Sequence, residues 1–436
     1  MAEIRPFRGL HYNQSLINDL SVVICPPFDT ITPQLQEELY SRSRYNFVRL
    51  ECAREFSQDT ATDNKYIRSA ATLEQWLNKG ILDVDEEPAI YLHDHYFRYQ
   101  GKEYRRRGII ARVRLEEWEK MVIRPHEGTL AEPKDDRLRL LWTIQANTSP
   151  ILAMFEDQKG AISSLLMVQE QTKPLTSSSS DDGEKHNLWA ITEPEVIKQI
   201  ASALADQPLY IADGHHRYSS ALMYRREKSV SLPSSSGDEA FNFVMMTLVS
   251  FTDPGLIILP PHRLVGGISK SVLDGLMAKL EVFFDIEELP LGMPNVWQRV
   301  DELLTESNEA RLVFCGPAAE HLFVLRLRNI SAISRIMPYF HSELYRRLDV
   351  SIVDHIILDK LLVLGSGGGS GKIAYSHDRQ DAVNKVLDGE YQLAFLLRPI
   401  KAELIKAIAD DGDRMPGKAT YFYPKVPAGL VINRLV

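Results

Sequence analysis

Leu209-Tyr210-Ile211-Ala212 runs without a break into Asp213-Gly214-His215-His216-Arg217, and Tyr218 to Lys228 then has the composition of a helix. No other stretch restricts the fold of this chain so tightly. A short apolar run bounded by turn residues is a buried strand, so the polar cluster is predicted at a strand-to-helix turn. A helix start carries roughly half a positive charge and presents backbone N–H groups, an arrangement suited to phosphate. Gly214 permits close backbone approach, Arg217 brings a forked donor set, and His215 and His216 add further donors. Asp213 has the wrong sign for phosphate and is predicted to hold a magnesium ion that accompanies it. The competing reading is a capped helix whose histidines make local hydrogen bonds.

A second cluster, Arg124-Pro125-His126-Glu127-Gly128-Thr129, continues to Asp135-Asp136-Arg137. A hydroxyl attacking phosphorus must lose its proton, and Glu127 can accept it, as can His126. Most of the catalysis in phosphoryl transfer nevertheless comes from positioning and charge neutralisation. Read alone, this segment is an ordinary solvated loop in which Asp135, Asp136 and Arg137 form surface ion pairs.

The chain has 436 residues, room for two or three domains at about 150 residues each. Three segments are expected. Residues 1–118 form an N-terminal mixed α/β unit, 119–267 the core with the two clusters, and 268–436 a C-terminal α/β domain. In the first, Val22 to Ile24 and Asn46 to Glu51 are predicted strands. Thr32 caps a helix over about 33–42, and a helical period marks 63–78. Residues 89–99 and 102–114 read as a hairpin turning at Gln100-Gly101. Thr172 to Asn187, rich in Ser, Asp and Gly, is expected to be a solvated, flexible loop. After Gly267, helices are predicted over 269–280, 296–306, 349–362 and 399–410, with short strands between them.

A net charge of −9 makes nucleic acid a poor partner. Arg105-Arg106-Arg107 is expected on a solvated strand edge. No apolar run approaches the roughly 20 residues of a membrane span, and Met1 to Pro6 lacks the core of a signal peptide. Cys25, Cys52 and Cys315 are too few and scattered for a disulfide framework, which points to a reducing cytoplasm. Cys25, beside Pro26-Pro27, reads as packing rather than as a redox thiol. Gly365 to Lys372 imitates a phosphate-binding loop, but Ser366 occupies the first glycine position and Ile373 the magnesium-binding position. His93-Asp94-His95 on a strand would project both histidines to one face, a metal pair that is set aside for want of a third ligand nearby.

Pro125-His126-Glu127 followed by Ile211 to Arg217 resembles the free serine kinases of archaea, members of the ParB/sulfiredoxin-like superfamily. The wider pattern is similar to a large prokaryotic family, domain of unknown function 1015. Its features are Pro26-Pro27-Phe28-Asp29, Asp136-Arg137-Leu138, Pro254-Gly255-Leu256, His262-Arg263-Leu264 and Lys418 to Lys425. The resemblance implies a mixed α/β fold with a ParB/sulfiredoxin-like core. Its implied activity is a kinase carrying phosphate from ADP or ATP to a hydroxyl, with free L-serine as acceptor and O-phosphoserine as product. It makes Glu127 the catalytic carboxylate and places Asp213, His215, His216 and Arg217 around phosphate and magnesium. Lys418 and Thr420 fall on the matching lysine-x-threonine segment, which by the resemblance would help close the substrate pocket; the competing reading is a strand-entry turn. Ala419 stands where the family has serine or threonine. Two other activities are compatible with the box: a ParB-like nucleotide switch without a small acceptor, and sulfiredoxin-like repair. The acidic balance and the lack of a helix-turn-helix pattern weigh against the first, and repair would need a thiol where His215 stands.

Overall fold

A computed structural model describes residues 2–180, 183–231, 236–305, 310–316, 320–364 and 372–436. Most of the loop-like 365–372 segment therefore lies outside the described residues. The fold is mixed α/β, in two compact units between which the chain passes several times. The first comprises Met1–Pro125, Thr129–Ile257 and Pro424–Val436, the second His126–Gly128 and Ile258–Tyr423. Most of the expected 1–118 and 119–267 segments fall together in the first unit.

The first unit is built on a nine-stranded mixed sheet. Its order is Ile123–Arg124, Leu209–Asp213, Ile151–Phe155, Phe243–Ser250, Lys102–Arg114, Ile90–Tyr99, Lys185–Ile191 and Thr176–Ser179, with Ile4–Arg5 also pairing Lys102–Arg114. Alternation along the strands sends Ile90, Leu92, Ile109 and Val113 to one core, and Tyr91, Ile110 and Leu188 to another. The expected hairpin is present, with Gln100 and Gly101 both left-handed.

Several expectations yield to tertiary pairing. Asn46–Glu51 is not a strand: Val48–Glu51 forms one helical turn, begun by the Val48 N–H donating to the Asn46 side chain at 3.0 Å. The Val22–Ile24 strand is instead a 3₁₀ turn over Leu20–Val22, capped by Asp19. The Ser-rich stretch is a loop only in part. Thr176–Ser179 and Lys185–Ile191 pair with each other, and the latter extends along Ile90–Tyr99. Hydrogen bonds to a long, buried neighbour outweigh a polar composition here. The arginine run is not on an edge either. Its strand lies between two others, and Arg106 and Arg107 are only 3% and 9% exposed. Arg107 donates to both oxygens of Asp94, at 2.7 and 2.6 Å, and to Glu170 at 2.6 Å. Cys25 is buried, and burial pushes its thiol up, as packing requires.

The second unit centres on a six-stranded antiparallel sheet. Its order is Phe284–Pro290, His321–Leu327, Arg311–Cys315, Leu393–Leu396, His262–Gly266 and Lys372–Ser376. Helices Val296–Thr305 and Arg379–Leu387 lay Val300, Leu303 and Val383 on one of its faces. The helix expected over 269–280 breaks at Gly275. The one expected over 349–362 is an α-turn, Asp349–Ile352, running into a π-helix, Val353–Leu361. Among the described residues no helix is long and apolar enough to cross a membrane.

Candidate active site

In the first unit, Leu209–Asp213 is a strand with four buried residues, and the helix His215–Ser231 starts immediately after Gly214. Gly214 has φ +95°, a conformation that β-carbon-bearing residues rarely adopt, and an added Cβ would lie 3.0 Å from the Arg217 guanidinium. The backbone conformation therefore favours glycine, and a side chain there would also press on the arginine folded against it. The first intrahelical bond runs from Tyr218 N–H to the Gly214 carbonyl at 3.0 Å.

Asp213 lies at the centre of this turn and accepts from two cations. Arg217 Nη2 donates to one oxygen at 2.6 Å, and Lys425 Nζ donates to the other. Burial alone would raise its pKa; the charges of Lys425 and Arg217, with His215 adding to them, hold its carboxyl well below the usual range. Lys425 also faces Asp29 at 3.9 Å. Arg217 donates onward to Ser149 Oγ at 3.2 Å and to the Pro150 carbonyl, and Ser149 donates to Glu51 at 2.9 Å. The Asp213 turn is thus braced by residues from the N-terminal segment and from the chain's end. His216 Nε2 accepts from the Leu130 N–H at 2.9 Å, and His215 is buried.

Asp136 and Arg137 are not surface ion pairs. Arg137 donates to Asp136 at 2.8 Å and to the Glu51 carbonyl at 2.9 Å, and Asp136 also accepts from Tyr66 at 2.8 Å. Burial opposes ionisation of Asp136, but Arg137 and Lys65 bring its pKa down to about 2.

The second unit gathers the other predicted residues. Glu127 Oε1 accepts from the backbone N–H of Lys418 at 2.8 Å, across 291 positions of sequence. The His126 carbonyl accepts from Met415 N–H at 2.7 Å, and the His126 Nε2 meets Thr420 Oγ1 at 3.0 Å. Lys418 itself is left-handed, φ +57°. That conformation is held from behind by Arg263, which is 1% exposed. Arg263 donates to the carbonyls of Pro261 at 2.7 Å and Lys418 at 2.9 Å, and pairs with Asp354 of the π-helix at 3.1 Å.

Thus Glu127, His126, Lys418 and Thr420 come together in one unit, and Asp213, Gly214, His215, His216 and Arg217 in the other. Sequence reasoning did not single out Lys425 and Arg263 as site residues. Both lie inside quoted motif segments, Lys418 to Lys425 and His262 to Leu264, but only folding reveals their partners.

A family model described as "Protein of unknown function (DUF1015)" matches residues 4–351. The chain belongs to the DUF1015 family. No curated protein matches it. Among solved structures, this DUF1015 member is similar to a conserved hypothetical protein from Pyrococcus furiosus. That pair shares 13% identity over 75% of this chain and 95% of the other, at a TM-score of 0.36. A free serine kinase in complex with AMP matches at 14% identity over 74% and 92%, TM-score 0.35. SbnI with C-terminal truncation from Staphylococcus aureus matches at 9% over 74% and 87%, TM-score 0.36.

Proposed function

We propose that this DUF1015 protein is a small-molecule kinase. The nucleotide phosphates lie against the helix start at Gly214, His215, His216 and Arg217, where Lys425 adds a second cation. Glu127 takes the proton of an attacking hydroxyl, and His126 and Thr420 orient the acceptor beside it. The bond from the terminal phosphorus to its bridging oxygen breaks as the bond to the acceptor oxygen forms. AMP or ADP leaves, according to whether ADP or ATP is the donor. Free L-serine is the acceptor that the motif resemblance favours, and O-phosphoserine the product.

The observation that carries this reading is the convergence in the second unit. The one carboxylate of the Pro125-His126-Glu127 motif is aimed by the backbone of the lysine-x-threonine segment, 291 residues away. A solvated loop needs no such partner. Lys418 is exposed, so its ammonium is available to a carboxylate or phosphate of the substrate.

Magnesium fits the Asp213 turn poorly. Each Asp213 oxygen already accepts from a cation, whereas a magnesium site keeps one or two carboxylates for the ion. Asp213 is better described as the anchor that holds Arg217 and Lys425 in place, and in this reading magnesium arrives with the nucleotide.

The test is incubation with ADP or ATP, magnesium and a panel of hydroxyl amino acids, followed by phosphorus NMR. A phosphoserine resonance that requires serine supports the kinase. Nucleotide hydrolysis indifferent to every acceptor would replace it with the ParB-like switch.

A further inference from the structure

The sheet of the first unit carries a cluster for which the kinase reading has no use. His95 on Ile90–Tyr99 lies opposite His186 on Lys185–Ile191, His186 lies opposite Ser178, and Arg106 lies opposite His95 on the other side. Directly paired residues share a face of the sheet, so Arg106, His95, His186 and Ser178 form one row across four strands. His93, two residues from His95, joins them on the same face. The His95 and His186 rings are 4.1 Å apart between centroids. The three histidines are at most 5% exposed. Glu184 stands at the edge of the cluster, its side chain 30% exposed.

We propose that His95, Glu184 and His186 form a binding site for one divalent transition-metal ion of the zinc class. Among the described residues this is the one place where three potential ligand atoms converge, all within 4.8 Å of one another. His95 Nε2 is 2.9 Å from Glu184 Oε2, and His186 Nε2 is 3.8 Å from the same oxygen. Ligands about 2.1 Å from a tetrahedral ion stand roughly 3.4 Å apart, a spacing those two distances bracket. Two imidazoles and one carboxylate suit zinc, cobalt or nickel, and not magnesium or calcium.

The surroundings supply what a metal site requires. His93 Nε2 lies 3.1 Å from His186 Nδ1. With the proton on His186 Nδ1, His93 accepts it and Nε2 is the ligating nitrogen, the usual support of a metal-bound imidazole. The partly exposed Glu184 gives an entry path. Ser178 Oγ, in the same row, is buried and has no hydrogen-bond partner among the described residues. An unsatisfied hydroxyl there is costly unless another group completes the cluster.

One neighbour opposes the ion. Arg106 Nη2 lies 3.1 Å from His95 Nδ1 and can only donate, which places the proton of neutral His95 on Nε2, facing Glu184. An entering ion takes that position. The proton passes to Nδ1, and Arg106 gives up this contact. Binding therefore carries the cost of that contact, and the site is tested with added metal.

The full-length protein, stripped with chelator, is titrated with Co²⁺ while its visible d–d absorption is followed. The expected result is one Co²⁺ per chain, displaced by Zn²⁺, with the band lost in Glu184→Gln and His186→Ala. His93→Gln should weaken binding about 10–100-fold. Glu184 is exposed enough for its amide variant to fold, which far-UV circular dichroism checks. Zinc-edge X-ray absorption of the wild-type protein supplies a reading that needs no variant. Two imidazoles and oxygen in the first shell support the site. A sulfur scatterer, no bound metal, or an unchanged Co²⁺ spectrum in the folded Glu184→Gln protein overturns it.

Discussion

The Asp213 turn and the Glu127 loop are both assembled from segments far apart in sequence, yet different forces hold them. At Asp213 the work is done by charge: one buried carboxylate binds Arg217 and Lys425, and Arg217 is braced in turn through Ser149 to Glu51. At Glu127 it is done by backbone. The Lys418 N–H and the Met415 N–H fix the loop, and Arg263 holds the carbonyl behind them. A charge-built turn is sensitive to the removal of one ion. A loop held by backbone N–H groups is less sensitive to the loss of one charge.

That contrast is sharpest at Glu127. Glu127→Gln keeps an oxygen for the Lys418 N–H and loses only the charge. Phosphoryl transfer should fall by about 100-fold or more, with nucleotide affinity, measured by calorimetry, nearly unchanged. Unaltered turnover would remove Glu127 from the mechanism.

At the other region the equivalent change should act on the fold. Lys425→Met leaves Asp213 buried with one partner, and removing one member of such a pair costs about 3 kcal/mol. Urea denaturation reads this directly, and nucleotide affinity should drop with it. A loss no larger than that of a surface lysine would show that the turn is not built on charge.

The response to pH should separate two buried aspartates. Because the folded pKa of Asp213 is depressed, its contribution is present above the unfolded value and is lost only as pH falls through the folded one. Between pH 7 and 5 it should not change. Asp349, in the second unit, behaves oppositely. Burial pushes it up to about 6 even though Arg398 pulls it down. The folded state then binds the proton more tightly, so acidification from pH 7 towards 4 should add stability, at most about 3 kcal/mol. Asp349→Asn should abolish that gain, and a midpoint that rises equally in the variant would assign it elsewhere.

The smallest effects belong to the lysine-x-threonine segment. Thr420→Val removes the His126 contact and should cost about 1 kcal/mol. Lys418→Gly suits the left-handed backbone and keeps the N–H that Glu127 accepts. It should be neutral or stabilising by up to about 1 kcal/mol, so a raised KM in this variant would isolate the ammonium as a substrate contact.

Much of the local chemistry was legible beforehand. The apolar run 209–212 ending in Asp213-Gly214 has one ready outcome, and the strand, the left-handed glycine and the helix follow from it. The hairpin at Gln100-Gly101 and the cap at Thr32 were legible for the same reason, since turn and cap residues act within a few positions. The two strand segments within 172–187 and the arginine run escape a reading by composition, which reports solvent preference but not pairing. Polar residues became strands once a buried neighbour offered hydrogen bonds. Arg106 and Arg107 entered the interior because Asp94 and Glu170 were there for Arg107, and His95 for Arg106.

The sequence by itself determined the residue types of the candidate site and the local bends that present them, because φ preferences, helix dipoles and side-chain chemistry are properties of a few adjacent residues. Tertiary structure alone decided the partners. Lys425 on Asp213, Lys418 on Glu127, and Glu184 and His186 beside His95 are contacts across 89 to 291 positions. Which distant groups meet depends on sheet register, and that is set by burying whole apolar faces, not by any motif that the register brings together.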